Sequence, residues 1–556
     1  MIKKLNGHKL GELFIEGAME LSKQAEVVDA LNVFPVPDGD TGTNMNLTMT
    51  SGVKEVKKGS SEQASAVAST FAKGLLMGAR GNSGVILSQL FRGFSKAVEG
   101  KKELTTEQFA EALESGVQTA YKAVMKPVEG TILTVAKDAA KHAVKASKKE
   151  EDFARFIKTV IKEAEKSLKR TPELLPVLKE VGVVDSGGQG LVYIYDGFLM
   201  ALTGEKSQRA AQPDMKDLIN IEHHHNAQSH TMTSDIEFGY CTEVMVKFDE
   251  NKLAQKTYDE QAFRAKLSEY GDSLLVVSDE DLVKVHIHAE YPGNVLTEAQ
   301  TYGNLLQVKI ENMREQHSNL LREENGPHQS TAPSQKEKTD FAIVTVSMGE
   351  GIEKLFKGLG ASVVISGGQT MNPSTEDIVA AIEEAHAENV LVLPNNGNIV
   401  LAAEQAASVA DNKVSVVPTK TVPQGLAALL AFNPTKNLAE NAEHMKEAMG
   451  EVRTGEVTYA VRDTQMDGKT IEKGDFMGIS EKNIVSTGRE RTAVAKELLA
   501  SMIDEQSEMV TLIAGEDSEE AETKAIIDYV EKTFTDVEID TVEGGQPLYS
   551  YIFSVE

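Results

Sequence analysis

Asn32-Val33-Phe34-Pro35-Val36-Pro37-Asp38-Gly39-Asp40-Thr41-Gly42-Thr43-Asn44-Met45 sets two carboxylates around one glycine, between a proline-stiffened approach and a run of small donors. Side chains at i and i+2 of an extended or turning segment project to the same side. Asp38 and Asp40 can therefore converge on one hard cation that prefers oxygen ligands. Thr41, Gly42, Thr43 and Asn44 follow with hydroxyl and backbone N–H groups suited to an anion. A cation site joined to an anion cradle is what a magnesium–nucleotide complex requires. The same residues are also ordinary turn and N-cap chemistry, so the stretch has to be weighed with the rest of the chain.

The 556 residues suggest about three domains. With 41% hydrophobic residues the chain can bury ordinary cores, and no apolar run approaches the roughly 18–20 residues of a membrane-spanning helix. The N-terminal Met-Ile-Lys-Lys-Leu-Asn-Gly-His lacks the apolar segment of a signal peptide. A single cysteine, Cys241, excludes an internal disulfide framework, and a cytoplasmic location is expected. Residues 1–200 hold 27 Lys+Arg and 25 Asp+Glu, against 57 and 85 in the whole chain, so 201–556 hold 30 and 60. The first part is near neutral and the remainder carries a net −30. That balance argues against nucleic acid or an anionic membrane surface as the main partner of 201–556. The acidic part serves solubility or docking.

Apolar residues recur at helical spacing over 9–31, 41–57, 61–98, 105–125, 130–147, 151–169 and 187–203, punctuated by glycine and proline. The chain should therefore open with an all-α module of about eight helices over 1–203. A polar break at 204–216 leads to an α+β middle domain over 217–322, with strands near 242–248, 273–278 and 282–288 and helices near 259–270 and 294–301. After a second linker at 323–340, strands at 341–346, 361–365, 390–393 and 414–417 alternate with helical stretches. This is the texture of an α/β domain over 341–556 with a mainly parallel sheet, followed from Val457 by further alternating segments.

Three more glycine-rich turns open helices in the first module. Gly78-Ala79-Arg80-Gly81-Asn82-Ser83-Gly84 lets backbone N–H groups approach an anion, without the spacing of a Walker motif. Pro127-Val128-Glu129-Gly130-Thr131-Ile132-Leu133-Thr134 and Val184-Asp185-Ser186-Gly187-Gly188-Gln189-Gly190 are the others. Capping or close helix packing would explain each alone. Four in one small module, one with paired aspartates, suggest loops gathered at one end of a helical barrel.

These motifs resemble the nucleotide-binding subunit of dihydroxyacetone kinases, and the three-part order along the whole chain is similar to that of bacterial fatty acid kinase catalytic subunits. The resemblance implies an antiparallel helical barrel holding ATP and Mg²⁺, with Asp38 and Asp40 as metal ligands. A further aspartate of the dihydroxyacetone kinases falls on Asn32, a neutral ligand at best, with Asp29 as the fallback. Thr43, Asn44, Asn82 and Ser83 match the phosphate-contacting positions, and Gly130, Thr131, Asp185 and Gly188 the turns near the nucleoside. The implied acceptor is a fatty acid carboxylate presented by a separate DegV-type carrier protein, giving an acyl-phosphate for phospholipid synthesis. A carboxylate is deprotonated at neutral pH, which fits the lack of an evident general base. Two alternatives remain: a kinase for a small hydroxylated molecule such as dihydroxyacetone, and a non-catalytic nucleotide-sensing scaffold.

In the middle domain, His286 and His288 lie at i and i+2 of one expected strand and so share a face. With Cys241 they form a zinc-compatible set; a core cysteine and a satisfied histidine pair are the plainer account. The resemblance attaches importance for activity to these three positions. His223, His224, His225, His230 and His317 are candidates for a fourth ligand. In the last domain, Ser366-Gly367-Gly368-Gln369-Thr370-Met371-Asn372-Pro373-Ser374 and Leu393-Pro394-Asn395-Asn396-Gly397-Asn398 are polar turns at strand ends, where α/β sheets bind ligands. The first resembles the carboxylate-gripping turn of DegV-type carriers. With no evident apolar tunnel, carrier docking rather than lipid binding is expected there. A homodimer is the expected assembly.

Overall fold

The computed structural model describes residues 1–33, 39–59, 61–124, 126–204, 240–253, 256, 258–278, 282–312, 338–368, 371–460, 464–466, 469–481 and 483–556. Residues 1–213 and 338–556 form one compact unit, and residues 214–337 form another. Asp38, positions 205–216 and 323–337 of the expected linkers, Gln369, Thr370 and the five candidate fourth-ligand histidines lie outside the described residues.

Eleven helices occur among the described residues of the first module: α1 (Gly7–Lys23), α2 (Ala25–Ala30), α3 (Thr41–Lys58), α4 (Ala64–Met77), α5 (Gly81–Ala97), α6 (Thr106–Ala123), α7 (Ile132–Ser147), α8 (Phe153–Leu168), α9 (Thr171–Leu174), α10 (Pro176–Val181) and α11 (Ser186–Thr203). Since α2, α9 and α10 span only 6, 4 and 6 residues, eight long helices remain, the number expected. The expected helix over 9–31 breaks at Gln24, where no glycine or proline marks the stop. The stretch 61–98 divides at Gly78–Arg80 into α4 and α5.

Long helices that follow one another in space alternate in direction. Gly17 packs on Ile194 and Phe198, and Lys9 Nζ donates to the carbonyl of Ala201, so α1 and α11 run antiparallel. Gly52 faces Phe71 and Leu75 across α3 and α4, and Phe94 meets Phe109 across α5 and α6 with centroids 5.0 Å apart. Ser167 and Glu163 of α8 lie against Asp138 and His142 of α7. A chain of aromatic contacts runs through the core from the stacked Phe14–Phe71 pair (4.2 Å) through Phe91, Phe94 and Phe109 to Phe153 and Phe156. Truncating any one of these buried rings should cost about 3–5 kcal/mol, so the helix ends that carry the polar turns rest on a stiff base.

The middle unit is a four-stranded antiparallel sheet of β1 (Tyr240–Phe248), β2 (Gly271–Ser278), β3 (Leu282–Ala289) and β4 (Gly303–Asn312), in the order β2-β3-β1-β4. Helices Glu260–Leu267 and Pro292–Gln300 supply Phe263, Leu267, Val295 and Ala299, which pack with Val244, Val246, Val283, Val285 and Ile287. Alternate strand residues thus meet the helices, as the period of two demands.

In the last domain β5 (Thr339–Ser347), β6 (Val363–Ser366), β7 (Ala387–Leu393) and β8 (Lys413–Val416) form a parallel sheet in the order β6-β5-β7-β8. The four strands fall where the apolar runs were read. After β8, β10 (Thr464–Met466) and β11 (Lys469–Ile471) form a small antiparallel pair of their own. A second, mixed sheet of six strands takes in β9 (Arg453–Tyr459), β12 (Phe476–Ser480), β13 (Asn483–Gly488), β14 (Met509–Ala514), β15 (Glu538–Glu543) and β16 (Tyr551–Val555). In it only β14 and β15 pair in parallel, and β16 lies antiparallel beside β14. No helix among the described residues is long and apolar enough to cross a membrane.

Candidate nucleotide and metal site

Helices α3, α5, α7 and α11 begin at the same end of the bundle. A Cβ on Gly81, at the start of α5, would lie 2.6 Å from Asn44 Nδ2, and one on Gly84 would strike Thr48 Oγ1 of α3. Gly190 of α11 similarly abuts Met45 of α3, 2.8 Å from its Cε. Ile132 of α7 lies against Gly187 of α11, at 3.2 Å by the same measure. Each N-terminus carries roughly half a positive charge and unsatisfied N–H groups. Four gathered together make a field for an anion.

The four starts are capped differently. At α11, the Asp185 carboxylate accepts from Gly188 N at 2.7 Å and also from the backbone N–H of Ile132. It therefore serves α11 and α7 together, and burial pushes its carboxyl up to about 7. At α3, Asp40 occupies the N-cap position and makes no capping bond with its side chain. Asp29 caps α3 instead: its Oδ1 accepts from Gly42 N at 2.6 Å and Thr43 N at 3.1 Å, and its Oδ2 from Thr43 Oγ1 at 2.8 Å. Gly42 is required here, because a Cβ would strike the Ala25 carbonyl oxygen. Burial above all, with the Asp40 charge adding, pushes the Asp29 carboxyl up to about 7 despite the bonds from Thr43 and Gly42. At α5, Arg80 is the N-cap and makes no side-chain capping bond, and Gly81 adopts φ +57°. At α7, Thr131 likewise makes no capping bond; its hydroxyl donates to Val128 O at 2.8 Å, and Gly130 N donates to Thr134 Oγ1 at 2.8 Å.

The structure thus brings Asp40, Thr43, Asn44, Asn82 and Ser83 together at the α3–α5 starts, and Gly130, Thr131, Asp185 and Gly188 at the α7–α11 starts. Asp29, the fallback metal ligand, has both carboxylate oxygens committed to α3. Asn32 is buried and donates its backbone N–H to Asp29 O at 3.0 Å.

The α/β domain reaches this same end. Asn372 Nδ2 donates to Asp40 Oδ2 at 2.6 Å, and Arg80 Nη1 donates to the Asn372 main-chain oxygen at 2.8 Å. Asn82 Nδ2 donates to Asn398 Oδ1 at 2.8 Å. Gln405 Nε2 donates to Leu76 O at 2.6 Å and Gln405 Oε1 accepts from Gln89 Nε2 at 2.8 Å. Ala79 and Val85 are buried among Ile378, Ile382, Ala402 and Ala403 of the α/β core. The polar turns expected to form a ligand crevice therefore give Asn372 and Asn398 to the helical module. Asn395 instead braces its own domain, donating to Thr345 Oγ1 at 2.7 Å and Val346 O at 2.9 Å. The sequence marks both asparagine turns without revealing where they dock, because the partners lie more than 300 positions away.

The residues present suit a magnesium ion. Asp40 spends no oxygen on capping, Asn44 lies beside it in the first turn of α3, and Asn372 Oδ1, next to the Asp40 carboxylate, is a buried carbonyl oxygen without a hydrogen-bond partner among the described residues. These are neutral and anionic oxygens, the chemistry a hard cation takes.

In the middle unit, Cys241 of β1 lies directly across from His288 of β3, and Glu243 across from His286. Their backbones are described and their side chains are not. Among the described residues no group of three or more potential metal ligands occurs.

Residues 35–200 match the DAK2 domain, 237–320 the middle domain of FakA-like fatty acid kinase proteins, and 342–556 their C-terminal domain. Protein YloV of Bacillus subtilis is 56% identical over 556 residues, covering all of both chains. The chain belongs to the FakA-like fatty acid kinase family. An uncharacterised protein of Staphylococcus epidermidis is 52% identical over 557 residues, again covering both chains fully. A DegV family protein of Corynebacterium glutamicum aligns over 39% of this FakA-like chain and 96% of its own, with 14% identity and a TM-score of 0.31.

Proposed function

We propose that this fatty acid kinase family member transfers the γ-phosphoryl group of ATP to the carboxylate of a fatty acid held by a separate carrier protein, releasing an acyl-phosphate that feeds phospholipid synthesis. The observation carrying the reading is the convergence of four helix starts, with Asp40 at one of them left uncommitted to capping. In this reading Asp40 and Asp38 hold Mg²⁺, with Asn44 close by. When bound, Mg²⁺ neutralises charge on the phosphates. The backbone N–H groups at Gly81–Ser83 and the side chains of Thr43, Asn44, Asn82 and Ser83 orient phosphate oxygens, aided by the α5 dipole. Gly130, Thr131, Asp185 and Gly188 border the nucleoside. The acceptor arrives deprotonated, so the chain needs to position it and exclude water rather than remove a proton.

The carrier is assigned to the DegV type, and the acidic α/β domain to its docking. Cys241, His286 and His288 are assigned to a zinc site in the middle domain, supported by the Cys241–His288 register. Metal analysis of wild type against Cys241→Ser tests that assignment; equal zinc content in both would remove it.

The deciding experiment measures ATP consumption and hydroxylamine-trapped acyl-phosphate, with and without a carrier loaded with a long-chain fatty acid. Turnover only with the loaded carrier is expected. ATP consumption that ignores the carrier and follows added dihydroxyacetone would overturn the proposal.

A further inference from the structure

We propose that Asn372, supplied by the α/β domain, is a positioning residue of the metal site: it fixes the Asp40 carboxylate, so that cation binding by the helical module depends on the α/β domain being docked. The inference rests on reading Asp40 as a metal ligand and goes beyond it, since it assigns part of that site to a residue 332 positions away in the chain.

Asp40 is 8% exposed and Asn372 2% exposed, so their contact lies out of bulk water. A hydrogen bond to a carboxylate in such surroundings is short and strong; this one is 2.6 Å. It also sets the rotation of a side chain that makes no capping bond to its own helix. Asn372 is itself held: Arg80 Nη1 grips its main-chain oxygen, and three residues on, Thr375 N donates to the Ala79 carbonyl at 3.1 Å. Arg80 Nη2 further reaches Asp377 at 3.4 Å. The segment from Asn372 to Asp377 is thus laid along the loop that opens α5, and the apolar contacts of Ala79 and Val85 lock it in place.

The second observation is the Asn372 carbonyl. Oδ1 is buried and has no hydrogen-bond partner among the described residues, although the amide nitrogen of the same group is bonded to Asp40. A buried carbonyl oxygen without a donor calls for an explanation. Beside a carboxylate, a cation or a water of its hydration shell supplies one. Groups that orient a ligating carboxylate typically change metal affinity by about 10–100-fold when removed.

The test uses full-length protein without turnover. Mn²⁺ affinity is measured by electron paramagnetic resonance, and binding of a fluorescent ATP analogue is followed with and without metal, in wild type, Asp40→Ala, Asn372→Ala and Asn372→Ser. Thermal unfolding of each variant establishes that it is folded. Asn372→Ala should weaken Mn²⁺ about 10–100-fold and shift metal-free nucleotide binding much less. Asn372→Ser, which keeps a donor hydroxyl, should recover part of the loss. If Asp40→Ala abolishes Mn²⁺ binding while Asn372→Ala leaves it within about twofold of wild type, the positioning role is wrong and the proposed function stands. If Asp40→Ala itself retains Mn²⁺, both fall together. Equal losses of metal-free and metal-dependent nucleotide binding in folded Asn372→Ala would reduce the contact to a structural one and overturn the inference.

Discussion

Asp40 and Asp185 stand at the same kind of place, an N-cap followed by small residues that start a long helix, yet their carboxylates do different things. Asp185 turns back and satisfies the N–H groups of α11 and α7. Asp40 makes no such bond and accepts instead from Asn372, while Asp29 caps α3 from 13 residues upstream of Gly42. The difference separates an aspartate that caps its helix from one that does not. Where Asp29 caps α3 from outside the helix, the Asp40 carboxylate turns to a residue of another domain.

That contrast can be broken experimentally. Asp40→Ala should lower metal-dependent ATP turnover by more than about 100-fold, beyond the 10–100-fold typical of outer groups. No capping bond is lost, but the buried Asn372 amide loses its acceptor, so about 1–3 kcal/mol of stability should go with it; a larger stability loss with retained activity would reverse the roles. Gly42→Ala comes next. Its Cβ would strike the Ala25 carbonyl and push α3 away from Asp29, so a destabilisation of about 1–3 kcal/mol should show in denaturant unfolding together with weaker nucleotide binding. Asp185→Ala removes a cap shared by two helices and should cost about 1–2 kcal/mol, read as a fall in melting temperature with metal affinity of the folded protein nearly unchanged.

The smallest effect concerns pH. Burial raises the Asp185 carboxyl to about 7, against about 3.9 in an unfolded chain. The folded protein therefore keeps a proton that the unfolded chain releases. This contribution to stability is fully present below about pH 4 and is lost as pH rises through about 7. Asp185→Asn should flatten the stability profile over that window, as followed by urea midpoints at successive pH values. An unchanged slope would mean that the two capping bonds, rather than burial, set the state of this group.

Helical spacing was enough to read eight long helices, and short apolar runs marked the parallel strands, because both patterns are local. The break at Gln24 escaped, since no helix-stopping residue stands there and the change of direction is set by packing. The mixed pairing of the second sheet escaped too: β16 lies between β9 (Arg453–Tyr459) and β14, an order that no spacing along the chain encodes. In the site, the glycine turns were visible as motifs. Which carboxylate caps and which does not was hidden, since Asp29 reads as a spare ligand until its bonds to Gly42 and Thr43 are seen. In the sequence Asn372 is only one polar residue in a turn of another domain.

The burial of Ala79 and Val85 against the α/β core bears on how the chain can be divided. A fragment ending near residue 203 would bare this apolar patch together with Gln89, whose amide would lose its Gln405 partner. Such a fragment should self-associate at concentrations where the whole chain does not. Replacing Val85 by a polar residue is the natural first step in making it soluble, and Mn²⁺ titration of that soluble fragment would measure the metal site without Asn372.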